Sequence, residues 1–308
     1  MTKNDKKAKK HKTDRGRLVK VTAIDYQATA MAIQLDLISS RMIEDAIDRN
    51  ELTLVFQPQN CLETNSLFGI EVLTRWNSLE LGTIDTQHFI EILESSSLLL
   101  VKKFHEWLLK ETFTQMSLWQ DLGLSVPVFI NFSSRYLQCK DSLSYILYLI
   151  QEYRIDPHFL GIELTETAPI THKDEIFFVL YHLNMLGIKI SLDDFCTSYC
   201  SLEYLCDLPV DMIKLDKRFV HGLVDDSGER RVAMTTIVNH LITMAHQLGI
   251  KVVAEGVETI EQLELVTAMG CDAFQGYLLS RPVVAPILRL MLSNLVTHKM
   301  SYYPACAA

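Results

Sequence analysis

Side chains suited to metal-ion chemistry are spaced along the whole chain, at the ends of short apolar runs. They are Glu71 in FGIEVLTRW, Asn131 in VFINFS, Glu163 in GIELTET and the Asp193–Asp194 pair in IKISLDDF. The series continues with Lys214 in DMIKLD, Glu255 in KVVAEGVE and Gln275 in AFQGY. Hard divalent cations such as Mg2+ and Mn2+ prefer oxygen ligands and bind carboxylates alongside phosphate oxygens. Adjacent carboxylates at a strand-to-loop break suit two ions, one group bridging both metals while its neighbour binds the second. Glu71, Asn131 and Glu163 then complete the shell of the first. Two ions ~3.5–4 Å apart lower the pKa of a shared water and clamp both oxygens of an in-line phosphate displacement. Lys214 is suited to orienting that water or offsetting charge at phosphorus. A lone Asp-Asp pair is weak evidence for this chemistry; seven apolar runs in agreement are strong evidence.

Residues so far apart in sequence meet only if the elements carrying them converge. The runs are rich in Val, Ile, Leu and Phe and read as strands: TLVFQ, FGIEVLTRW, VFINFS, LGIELTE, IKISLDD, DMIKLD, KVVAEGV and AFQGYLL. Between them lie amphipathic stretches, namely HFIEILESSSLLLVKKFHEWLLKETF, SLSYILYLIQEY, DEIFFVLYHLNMLG and RRVAMTTIVNHLITMAHQLG. Gly187 and Gly249 close the last two, as helix C-caps do. Eight strands alternating with helices over about 250 residues predict an α/β fold, a (β/α)8 TIM-like barrel. Its strands all point the same way and deliver their C-terminal ends to one mouth. A doubly wound sheet would instead gather its ligand groups at one switch point. No internal repeat or Pro/Gly linker divides the body, so a single domain is expected. The predicted organisation is a basic, disordered leader over 1–20, a helical segment over 21–40, the barrel over 41–292 and a tail over 293–308. The helical segment belongs to an amphipathic run, VTAIDYQATAMAIQLDLISSRMIEDAIDRN, that reads as helix to its end.

With 48% hydrophobic and 22% charged residues in 308, the chain can bury a sizeable core. Its net charge of −9 conceals an asymmetry: residues 1–20 hold nine Lys/Arg and two Asp, so they carry +7 and the remainder −16. An acidic body excludes nucleic-acid binding there, leaving the leader as the part suited to an acidic partner or an anionic membrane. No apolar core follows the basic stretch, as a signal peptide requires, and no run approaches the ~20 residues of a transmembrane segment. Seven cysteines, an odd number without regular spacing, argue against a disulfide framework and for a cytoplasmic protein. Cys196, Cys200 and Cys206 lack a zinc-site pattern. His88, His105 and His240 are expected at helix surfaces, Trp107 and Trp119 in the core.

Between about Ile43 and Val283 the segments resemble the EAL family of cyclic di-GMP phosphodiesterases. FQP (56–58), GIEVLTRW (69–76), NFS (131–133), ELTET (163–167), DDF (193–195), KLD (214–216), AEGVE (254–258) and QGY (275–277) with SRP occur in family order. The resemblance implies a barrel enzyme that opens one phosphodiester of cyclic di-GMP with two Mg2+ or Mn2+ ions, giving linear pGpG. It also implies roles. Glu71, Asn131, Glu163 and Asp193 hold one metal; Asp193 and Asp194 hold the other, with Glu255 in its water shell. Lys214 contacts the attacking water and Gln275 steadies the Glu255 end of the site. Gln57, Leu73 and Arg75 hold the dinucleotide, Arg75 through charge-assisted bonds to phosphate. Glu166 braces the loop after the Asp pair, and a homodimer forms through that loop and the helix after it.

Two departures bear on activity. EVL replaces EAL at Val72, which adds two methyl groups. The loop reads DDFCTSYCSL where the family shows DDFGTGYSSL, so Cys196 and Ser198 stand at glycine positions. Glycine there permits a positive φ that other residues reach only at a cost. The intact ligand set favours a phosphodiesterase; the altered loop favours an inactive cyclic di-GMP receptor or protein-binding module.

Overall fold

The computed structural model describes residues 38–164, 173–196 and 204–295. The basic leader, Glu166, Ser198 and Cys200 lie outside the described residues, as do 21–37 and the tail from 296.

Nine strands form the sheet: β1 (Leu52–Cys61), β2 (Leu67–Ser78), β3 (Gly82–Ile84), β4 (Val128–Phe132) and β5 (Leu160–Leu164), then β6 (Lys189–Leu192), β7 (Met212–Leu215), β8 (Lys251–Ala254) and β9 (Ala273–Phe274). Their order is β1-β9-β8-β7-β6-β5-β4-β2, and pairing of β1 with β2 closes an eight-strand barrel, with β3 attached to β2. All eight runs read as strands are present. One expectation fails: the strands do not all point the same way, because β1 is antiparallel to both β2 and β9. The reason is local. Only residues 62–66 separate β1 from β2, too short for a crossover helix, so the chain must turn back. Asn65 takes φ 50° in that turn and its side chain accepts from Asn60 at 2.9 Å.

Two expectations about helices also change. The 88–113 stretch is two helices, Thr86–Ser95 and Leu98–Asp121, because Ser96 leaves the helical backbone and Ser97 caps the second. The run through Asn50 is helical, among the described residues, only over Ser40–Asp48, with Ser39 as N-cap. Gly187 (φ 95°) and Gly249 (φ 75°) do end their helices in the left-handed region. Trp119 is buried and meets Phe56 of β1 edge-on at 5.0 Å, whereas Trp107 is only half-buried. No helix among the described residues is long and apolar enough to cross a membrane.

The barrel interior is layered. Phe129, Met212, Val253 and Ala273 form an apolar floor. A Cβ at Gly69 would stand 2.4 Å from the Phe129 ring and one at Gly161 2.1 Å, so those positions leave the space this ring occupies. Strand side chains alternate between faces, so the residue two positions beyond each floor position also points inward. From 69, 129, 161, 212, 253 and 273 that step reaches Glu71, Asn131, Glu163, Lys214, Glu255 and Gln275. The polar set is the storey above the floor.

Candidate active site

Lys214, fully buried, stands at the centre. Its Nζ lies 2.7 Å from Glu255 Oε1, 2.9 Å from Glu163 Oε2, 3.1 Å from Asp193 Oδ1 and 3.4 Å from Glu71 Oε2. Carboxylates taken out of water need a counter-charge, and here one ammonium serves four. Asn131 Nδ2 donates to Glu71 Oε1 at 2.8 Å, and Gln275 Nε2 donates to Glu71 Oε2 at 2.6 Å. Both oxygens of Glu71 are therefore held. Gln275 Nε2 also donates to Gln57 Oε1 at 2.9 Å, and Gln57 Nε2 to the Ser280 carbonyl at 3.1 Å.

Glu71 does not end its strand; it lies mid-way along β2, the long partner of the β1 hairpin. Asn131, Glu163 and Lys214 are penultimate in β4, β5 and β7, while Asp193, Glu255 and Gln275 directly follow β6, β8 and β9. Leu73 and Arg75 share the inward face of β2 with Glu71 but lie further along it, half-buried. Arg75 Nη1 donates to the Thr74 carbonyl at 2.9 Å and to Thr86 Oγ1 at 3.1 Å.

Protonation follows from this crowding. Burial pushes Glu163 well above the ordinary carboxylate value, and Glu255 to about 8. Burial raises Asp193 too, and brings Asp194 to about 6 with help from the charges of Asp193 and Asp216. Glu71 differs: burial pushes it up, but Lys214, Gln275 and Asn131 outweigh that and hold it below the usual value. Burial alone would depress Lys214; the surrounding carboxylates hold it well above the ordinary lysine value. The cluster holds more carboxyl groups than Lys214 alone can keep ionised.

That excess suits a cation. Carboxylate oxygens of Glu71, Glu163 and Asp193 lie within 4.8 Å of one another, as do those of Asp193, Asp194 and Glu255, so Asp193 belongs to both groups. Glu163 Oε1 is buried without a hydrogen-bond donor, a bare acceptor inside the barrel. Oxygen donors without histidine or thiolate fit a hard divalent ion.

Residues 40–282 match the family described as EAL domain. The chain belongs to the EAL domain family. Among relatives of this domain, the bifunctional diguanylate cyclase/cyclic di-GMP phosphodiesterase MucR of Pseudomonas aeruginosa is 32% identical over 79% of this chain and 35% of its own length. The cyclic di-GMP phosphodiesterase RocR of the same organism is 31% identical over 77% of this chain and 59% of its own. A solved structure of the PaMucR phosphodiesterase in a c-di-GMP complex superposes with a TM-score of 0.72 at 32% identity, covering 80% of this chain and 97% of that one. The chain spans about a third of the length of MucR, YkoW of Bacillus subtilis and DosP of Escherichia coli (35%, 29% and 32%).

In this EAL domain the loop after β6 opens with two residues of positive φ. Asp194 takes φ 50° and Cys196 φ 65°, the left-handed region that favours glycine. The Asp194 N–H donates to Asp193 Oδ1 at 3.0 Å. Phe195, buried between Asp194 and Cys196 in the chain, donates its N–H to the Lys214 carbonyl at 3.1 Å.

Three contributors escaped the sequence reading. Gln59 Nε2 donates to Gln275 Oε1 at 2.9 Å from within the floor layer; its sequence signal was its position two residues past Gln57 on one strand face. Asp216 caps the helix Lys217–Gly222 and raises Asp194. His105 is buried, not at a surface. Its Nε2 accepts the Ser133 N–H at 3.0 Å while Nδ1 donates to the Val101 carbonyl at 2.9 Å, which ties the long helix to the end of β4 beyond Asn131. Burial drives its pKa down to about 4, so it stays neutral and keeps that acceptor. No one-dimensional spacing announces such a bond.

Proposed function

We propose that this chain hydrolyses cyclic di-GMP to linear pGpG, with two Mg2+ or Mn2+ ions as cofactors. The observation that carries the proposal is the pair of carboxylate groups sharing Asp193 around a buried lysine. Glu71, Asn131, Glu163 and Asp193 would hold one ion, Asp193 and Asp194 the other, with Glu255 in its water shell. Bound there, such ions supply Lewis acidity, lowering the pKa of a shared water and polarising phosphate oxygens.

The chain's own groups do the rest. Lys214 orients the attacking water and offsets charge that builds at phosphorus. Glu255, 2.7 Å from Lys214, keeps that ammonium directed at the site. Gln275 fixes Glu71 and Gln57 together. Gln57, Leu73 and Arg75 hold the dinucleotide; Arg75 spends one nitrogen on Thr74 and Thr86, leaving the rest of its fork for a phosphate. Hydrolysis adds one water across one phosphodiester bond, leaving a phosphate monoester and a free hydroxyl on a linear dinucleotide.

A second reading, a receptor that binds cyclic di-GMP without turnover, is favoured by one observation: the positive φ of Cys196 beside Asp194. The test is a hydrolysis assay with Mg2+ or Mn2+, following pGpG by chromatography, with Glu71→Ala alongside. Product formation that falls by on the order of 10²-fold or more in the variant is the expected result. Saturable nucleotide binding without product would select the receptor, and turnover unchanged by Glu71→Ala would sink the site assignment.

A further inference from the structure

We propose that Gln59 is a positioning residue, setting the orientation of Gln275 and through it that of Glu71 and Gln57; this rests on the metal-binding reading above. The β1–β2 register places Gln59 opposite Gly69, in the layer that Phe129, Met212, Val253 and Ala273 make apolar. Gln59 is completely buried there. Its carboxamide makes one hydrogen bond upward, Nε2 to Gln275 Oε1 at 2.9 Å, while its own Oε1 is buried without a donor.

A carboxamide in an apolar layer with a bare carbonyl works against folding, because the lost hydration of that oxygen is not replaced. Packing therefore does not account for this residue. Its bond upward does. By occupying Gln275 Oε1, Gln59 leaves the Gln275 NH2 group facing the two acceptors above, Glu71 Oε2 at 2.6 Å and Gln57 Oε1 at 2.9 Å. Gln57 in turn directs its own NH2 group to the Ser280 carbonyl at 3.1 Å. Two amides thus form a directed chain from the floor to the carboxylate that reaches both Asn131 and Lys214, with Gln57 on a branch from Gln275. Without the donor at position 59, the far edge of Gln275 is unanchored. Glu71 is then held on that side by an amide fixed only through its own NH2 group.

The structure gives this role a distinct signature, since site function should fall without a matching change in stability. The experiment measures Mn2+ affinity by calorimetry and thermal stability in chelator for wild type, Gln59→Met, Gln275→Met and the double variant. Gln59→Leu is carried alongside, so that a packing fault in one substitution is not mistaken for loss of the donor. The expected result is Mn2+ binding weakened on the order of tenfold, the lower end for groups that support a metal ligand. The melting temperature in chelator should change little, because removing the bare Gln59 carbonyl is offset by leaving Gln275 Oε1 without its donor. In the Gln275→Met background the change at position 59 should have no further effect, because it acts only through that amide. Equal Mn2+ affinity in wild type and both position-59 variants would overturn the proposal while leaving the metal site standing. So would an equal loss with and without Gln275. A wild-type protein that binds no Mn2+ would overturn the metal reading and this inference with it.

Discussion

Replacing Lys214 with methionine removes the ammonium that four carboxylates surround at 2.7 to 3.4 Å and keeps most of the side-chain volume. Removing one partner of a buried ion pair typically costs about 3–5 kcal/mol. The carboxylates can limit that cost by taking up protons, which makes it depend on pH. Glu71 is the clearest case, because Lys214 is the main force holding its pKa down against burial. Without the lysine its folded pKa rises above the unfolded value of about 4.3. A group raised in this way contributes stability at low pH that is lost as pH climbs toward the folded pKa. At every pH above the unfolded and below that folded pKa the loss is about 1.4 kcal/mol per pH unit, so up to roughly 4 kcal/mol between pH 5 and pH 8. For a domain of this size that is on the order of 10 °C in melting temperature. The assay is thermal unfolding of wild type and Lys214→Met in chelator at pH 5, 6.5 and 8. Saturating Mn2+ should return part of the deficit, about 2.7 kcal/mol per ion at a hundred times Kd. A deficit that stays constant from pH 5 to pH 8, or a variant as stable as wild type at pH 8, refutes the view of Lys214 as the resident counter-cation.

Other outcomes follow from the same geometry. Mn2+ affinity should rise between pH 6 and pH 8, because binding must expel protons from carboxyls such as Glu255, which burial holds at about 8. Calorimetry in two buffers of different ionisation enthalpy should show that proton release, and a pH-independent Kd would contradict it. Gly161→Ala drives a methyl into the Phe129 ring, 2.1 Å from an ideal Cβ, and should destabilise by about 1–3 kcal/mol in urea titrations. Stability equal to wild type would mean that the floor is loosely packed. Cys196→Gly relieves the positive φ at the cost of some chain entropy, so it should stabilise by about 0.5–1 kcal/mol. If loop strain limits turnover, pGpG formation rises with it; a flat rate shows that the loop is not the limiting defect.

The barrel was legible because its strands announce themselves one by one, as apolar runs separated by amphipathic stretches, two of them closed by Gly. The polar set was legible because its members recur at the ends of successive apolar runs. What sequence periodicity does not carry is direction. Eight similar runs read as eight parallel strands, although the short CLETNS gap before FGIEV already left no room for a crossover. Ser96–Ser97 was hidden within an amphipathic pattern that both helices share. His105 was misjudged because its partner, the Ser133 N–H, belongs to another element, and residue type alone gives only an average tendency. Gln59 was passed over because a polar residue in a floor layer is exceptional.

The Phe129 ring fills the space that Gly69 and Gly161 leave, so these three positions constitute a single inherited character rather than three. A side chain at either glycine position is compatible with the barrel only after the ring has been reduced, and a reduced ring leaves a void until a side chain arrives. Each one-step path between the two arrangements passes through an overfilled or an underfilled floor. Descendants should therefore keep all three residues or exchange them together, and reconstructed ancestors should rarely hold a mixture.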